Sequence, residues 1–174
     1  DLNPFSAYLT LTRPGFEASL YLTIYGAGDI RLDIVETGPP GMTHTLVKPG
    51  VTAEKITLGK GDFPYLGPMP GSKFDSDAED SGPMQVTLPG GDEPETVASG
   101  SITKHYNGPE GLSTLLFVTV WREALTRAGW TIISVSQGLH QSDAVIVARY
   151  AANGRDIWTY MHANFGAYSI KVSD

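Results

Sequence analysis

The sequence predicts an α+β fold: a mostly antiparallel sheet of about eight to ten strands, with one main amphipathic helix, about 113–128, packed on it. Three observations carry this. Gly 20 and Pro 12 together make up nearly a fifth of the 174 residues, above the ~12% of average usage, which favours short strands joined by turns over a helical bundle. Apolar residues alternate with period two in several short runs bounded by turn signals. In one segment only, 113–128, they recur at three- and four-residue spacing instead.

The elements follow in order. Ala7–Thr12 alternates and stops at Arg13-Pro14-Gly15; Ser19–Tyr25 ends at Gly26-Ala27-Gly28-Asp29. Ile30, Leu32 and Ile34 then share one face of a strand, with Arg31 and Asp33 on the other. Short strands are expected at Thr43–Val47 and Lys55–Leu58. Residues 61–95, dense in Pro, Gly and acid, read as a long surface loop with one strand near Gln85–Leu88. Ala98–Tyr106 is a strand broken by Asn107-Gly108-Pro109. Ser113 is placed as the helix N-cap. Leu116, Phe117, Val120, Trp121, Ala124, Leu125 and Ala128 form the helix's apolar stripe, and Gly129 ends it. Strands at Thr131–Ser136, Asp143–Tyr150, Asp156–His162 and Tyr168–Val172 complete the chain. Asn153-Gly154 is the strongest hairpin signal in it. One domain is expected over 1–174: a β-meander at 4–60, the acidic loop region at 61–95, and a strand-helix-three-strand unit at 96–174.

Hydrophobic residues at 41% and charged residues at 18% exclude disorder of the whole chain. No apolar run approaches the ~18 residues of a transmembrane helix. The chain opens at Asp1 without Met, as a processed or trimmed chain does. Without cysteine, thiol catalysis, disulfides and Cys-ligated zinc or iron–sulfur clusters are ruled out. The net charge of −7 is concentrated: Asp62, Asp75, Asp77, Glu79, Asp80, Asp92, Glu93 and Glu95 stand against Lys73 alone between 62 and 95. No basic stripe exists, so nucleic acid and anionic membrane surfaces are poor partners.

From Asp62 to Ser173 the chain resembles the module that precedes the peptidoglycan-binding domain in a group of OmpA-family outer-membrane proteins. The residues that carry this are Asp62-Phe63-Pro64-Tyr65 and Met69-Pro70-Gly71-Ser72, then Trp121-Arg122-Glu123-Ala124-Leu125 with Ala128-Gly129-Trp130. Asn153-Gly154-Arg155-Asp156-Ile157-Trp158 and Tyr168-Ser169-Ile170-Lys171-Val172 follow. The peptidoglycan-binding domain itself has no counterpart here, so its activity does not transfer. Residues 4–60, through Phe5-Ser6-Ala7, Leu9-Thr10-Leu11 and Gly28-Asp29-Ile30-Arg31-Leu32-Asp33, resemble the opening hairpins of periplasmic lipoprotein-carrier (LolA-like) half-barrels, folds that hold acyl chains. Both resemblances imply the bacterial cell envelope, periplasmic or outer-membrane-associated, with lipid, peptidoglycan or an envelope protein as partner.

Candidate chemistry is sparse. Asp75, Asp77, Glu79 and Asp80 offer oxygens as a calcium loop does, but Asp80 stands where an EF-hand needs Gly and Val86 where it needs Glu. A solvated acidic loop is the favoured reading, with no metal and no cofactor. Of the four histidines, His44, His105, His140 and His162, none forms a helical metal-ligand pair. His105 and His162 both fall on strands, from which they can meet in space. A Ser-His-Asp arrangement through His140 and Asp143 lacks the G-x-S-x-G elbow. Trp158, Tyr160 and Tyr168 form a ligand face if they point outward; packing beneath the helix is the favoured alternative. Two functions remain. One is a non-catalytic envelope binding module. The other is a hydrolase using His140 or His162 with acids of the 75–95 loop. A cavity lined by aliphatic and aromatic side chains favours the first; a cleft uniting a histidine with two acids favours the second.

Overall fold

The computed structural model describes residues 5–13, 16–24, 30–37, 42–50, 62–80, 82–91, 93–137 and 143–173. The chain divides into two compact units, Asp1–Met42 and Thr43–Asp174. In the first, β1 (Phe5–Arg13), β2 (Phe16–Ile24) and β3 (Ile30–Thr37) form a three-stranded antiparallel meander in the order β1-β2-β3. Its registers run without a slip, from Phe5 opposite Ile24 to Arg13 opposite Phe16, and from Glu17 opposite Thr37 to Ile24 opposite Ile30.

The second unit holds eight strands and the helix. They are β4 (Lys73–Asp80), β5 (Met84–Thr87), β6 (Pro94–Ala98), β7 (Ser101–Asn107), α1 (Thr114–Arg127), β8 (Thr131–Gln137), β9 (Asp143–Ala152), β10 (Arg155–Asn164) and β11 (Ala167–Ser173). Six of them make an antiparallel sheet in the order β4-β7-β11-β10-β9-β8, while β5 and β6 pair separately. The α+β class is therefore present, and its sheet is antiparallel. The expected single sheet is instead three sheets. The N-terminal meander satisfies its ladders locally and does not extend the six-stranded sheet.

Two further expectations are corrected. Residues 61–95 hold more than the one strand expected near Gln85–Leu88, which is present as β5: they also contain β4 and the start of β6. The charge of Lys73-Phe74-Asp75-Ser76-Asp77-Ala78-Glu79-Asp80 disguises a strand at the rim of the sheet, where charged side chains deter edge-to-edge pairing. Thr43–Val47 forms no strand; it is tethered by side chains instead, as described below. Lys55–Leu58 lies outside the described residues.

Helix α1 forms as its pattern requires. The Ser113 hydroxyl accepts from the Leu116 N–H at 3.1 Å, satisfying one of the free donors at the helix start. At the other end Gly129, with φ +87, closes a Schellman motif: Trp130 N–H donates to Leu125 O and Gly129 N–H to Thr126 O, each at 3.0 Å. Between the caps, Phe117, Val120, Trp121, Ala124 and Leu125 are buried. They lie on β9, β8 and β10. The sheet face below presents Ala144, Ile146, Ala148 and Tyr150 of β9, and Ile157, Thr159, Met161 and Ala163 of β10. Its alanines give the helix room to approach.

The β9–β10 turn has Asn153 at φ 56 and Gly154 at φ 74, and the β10–β11 turn has Phe165 at 47 and Gly166 at 82. Two successive positive φ values are the type I′ geometry that suits strand twist. Gly108 is fixed by crowding: a Cβ there would meet the Leu112 side chain and stand 2.7 Å from the Gly166 carbonyl.

Two stability outcomes follow. Trp121 is wholly buried, so Trp121→Ala should lower unfolding free energy by about 3–5 kcal/mol in urea titration, through the cavity left behind. A loss under about 1 kcal/mol would contradict its burial. Gly108→Ala should cost about 1–3 kcal/mol, as forced overpacking does; a neutral result would show that the β7–α1 connection gives way freely.

Candidate functional site

Direct opposition in the six-stranded sheet sorts its residues onto two faces. Tyr168 stands opposite Ala163 and Tyr106, Ile170 opposite Met161 and Lys104; these belong to the face under α1. Trp158, Tyr160 and His162 belong to the other face with Val145 and Val147. There the β5–β6 hairpin covers them: Met84, Val86, Val147 and Trp158 form a second core, flanked by Leu88, Val97, Ala98, Ile133, Val145 and Tyr160. The three residues read as one ligand face are thus divided. Trp158 and Tyr160 pack against the hairpin. Tyr168 lies under the helix, where its hydroxyl accepts from Met69 N–H at 2.8 Å and donates to Ser72 Oγ at 2.9 Å. Burial pushes that hydroxyl's pKa up to about 12, so it stays protonated and able to donate.

Beyond the hairpin's cover, β7, β11 and β10 carry a different surface. His105 is directly opposite Ser169, and Ser169 directly opposite His162. The two imidazoles therefore flank one hydroxyl on the same face, roughly 10 Å apart at the backbone across two strand spacings. His105 and His162 share this face and line one pocket, but they do not meet: β11 stands between them. At the rim, β4 shifts register between Phe74 and Ser76. The resulting bulge delivers Asp75, as bulges re-aim side chains. Its carboxylate accepts from Asn107 Nδ2 at 3.4 Å and from Ser76 Oγ at 3.2 Å. A pocket of about 250 Å³ lies among Asp75, His105, Asn107, His162, Asn164, Ala167, Ser169 and the two tyrosines Tyr106 and Tyr168. Beside it, at the β10–β11 turn, the Phe165 ring is 88% exposed.

The remaining candidates are placed as follows. Asp143 is opposite Asn164, at the pocket's far side, while His140 lies outside the described residues. The acids of 75–80 sit on a strand rather than a loop. Asp75 lines the pocket, whereas Asp77 is opposite Lys104 on the helix-side face. Asp75 and Asp77 are thus not brought to one site. Among the described residues, no three of His, Asp and Glu gather closely enough to hold a metal ion. Asp75 enters the pocket with the histidines, but its bonds go to Asn107 and Ser76.

His44 has a separate role. Its ring meets Trp121 edge-on with centroids 4.7 Å apart, and its Nε2 lies 3.0 Å from the Gly67 carbonyl. Farther along the same segment, Tyr150 OH donates to Pro49 O at 3.2 Å, and Arg155 reaches Gly50 O at 3.3 Å. Residues 44–50 are thus strapped to α1, β9 and β10 without any strand pairing.

No known family model matches the chain, and neither a curated protein nor a solved structure gives a significant match.

Burial holds the His44 pKa below its ordinary value, against the Gly67 bond that raises it. The unfolded chain therefore binds a proton at His44 near pH 6.5 that the folded chain refuses. The contribution is full above about pH 6.5 and is lost as pH falls toward the depressed folded value. Urea midpoints should drop between pH 7.5 and 5.0, and His44→Phe should flatten that slope. Equal slopes for both proteins would remove His44 as the cause.

Proposed function

We propose that the chain is a non-catalytic binding module of the bacterial cell envelope, periplasmic or outer-membrane-associated, and that a cell-wall polymer is its ligand. The observation that carries this reading is the pocket on β7, β11 and β10, whose side chains are hydrogen-bonding groups with one exposed aromatic ring beside them. Asparagine, histidine, serine and a carboxylate supply donors and acceptors of the kind a glycan's hydroxyls match. A flat ring such as Phe165 adds an apolar surface for a sugar's C–H face. A lipid ligand calls for apolar lining instead. The two envelope resemblances, over 62–173 and 4–60, agree in compartment.

The hydrolase alternative draws on the same pocket, since Ser169 stands between two histidines. Asp75 is tied to Asn107 and Ser76 rather than orienting an imidazole, so the relay that activates a serine is not assembled.

Co-sedimentation with purified peptidoglycan sacculi, beside phospholipid vesicles, tests the proposal. The protein should pellet saturably with sacculi and stay in solution with vesicles. Phe165→Asn removes the ring while placing a favoured residue at a type I′ turn position, so it should stay folded. It should weaken binding by roughly 3–10-fold, the scale of one aromatic contact. Binding to vesicles alone, or affinity untouched by Phe165→Asn and His162→Ala together, would overturn the reading. Soluble fragments released from sacculi and lost in Ser169→Ala would establish the hydrolase instead.

A further inference from the structure

The two rims of the six-stranded sheet differ in kind. On one side β4 carries four acids and one lysine in eight residues, a strong defence against another strand. On the other, β8 reads Thr131-Ile132-Ile133-Ser134-Val135-Ser136-Gln137, with no charge and no proline. Among the described residues no strand pairs with its outer side. Its register slip lies between Ile132 and Ser134, so Ser134–Gln137 continue in regular pairing with β9. In that regular stretch Val135 is 37% exposed.

We infer that β8 is a self-pairing edge, and that a second copy of this chain adds its own β8 antiparallel to it about a two-fold axis at Val135. Every neighbour in the sheet is already antiparallel, so the added strand extends an existing pattern. The two-fold sets Val135 against its own counterpart, and Ser134 against Ser136. No like charges meet along this seam. The acidic rim is five strand spacings away, about 24 Å, which is several screening lengths at physiological salt. That distance keeps its repulsion off the seam. The same rim limits this mode of pairing: with β4 barred, the six-stranded sheet has one usable rim among the described strands, and association through it closes at two.

The natural absence of cysteine makes the test direct. Val135→Cys places one thiol per chain, directly opposite its counterpart in the pair at a separation a disulfide can span with little adjustment. Under mild oxidation it should convert to covalent dimer, while Ser76→Cys on the β4 rim should remain monomeric. Sedimentation velocity of the unaltered chain should show a dimer that grows with concentration. Val135→Lys should abolish it without shifting the melting temperature by more than a degree or two. The inference fails if the unaltered chain stays monomeric up to about 1 mM, if the dimer survives Val135→Lys, or if Ser76→Cys cross-links as readily as Val135→Cys.

Discussion

Strand β10 is apolar on both faces, and the second unit is built around meeting that demand. Ile157, Met161 and Ala163 require cover on one side, Trp158 and Tyr160 on the other. A sheet with two apolar faces needs two covering layers. The helix supplies one and the β5–β6 hairpin the other. Toward the β10–β11 turn, β7 and β11 carry His105 and Ser169, and there the pocket opens. It lies at the β10–β11 turn end of the sheet, on residues of β4, β7, β10 and β11 whose spacing the strand pairing sets.

Local chemistry made much of the fold readable in advance. The helix was legible in its stripe and in both caps, since Ser113 and Gly129 act within a turn of their position. The two type I′ hairpins were legible in Asn153-Gly154 and Phe165-Gly166. The rims were not. In β4, charge concealed the strand, because at an edge the usual link between strand and hydrophobicity is relaxed. In β5, the four residues Met84–Thr87 do show alternation. Their destination on the far face of the sheet, against Trp158 and Val147, is a long-range fact with no local sign.

The pocket divides the same way. His105 and His162 were identifiable as strand histidines with the freedom to meet. That β11 comes between them, bringing Ser169, is set by register across three strands and cannot be read from any one of them. Asp75 is similar: with Asp77, Glu79 and Asp80 it read first as part of a solvated acidic loop and only second as a cation loop, and neither reading signals the register slip that takes it to the pocket. Asn107 read as a turn residue, and Asn164, at the end of β10, carried no signal. Tyr168 was grouped with Trp158 and Tyr160 on aromatic character alone, although the β10–β11 pairing puts it opposite Ala163 and so on the other face.

Strand β11 has a consequence for the order of assembly. It lies between β7 and β10, yet of the described strands it leaves the ribosome last. Until it emerges, β4-β7 and β10-β9-β8 are two part-sheets with no shared ladder. Its Tyr168 then also fastens Ser72, 96 residues earlier. Closing so long a loop is slow relative to forming a hairpin. The second unit therefore completes its sheet only after synthesis of β11. Until then β7 and β10 each expose an unpaired inner edge, the interval in which such chains are most prone to misassociate.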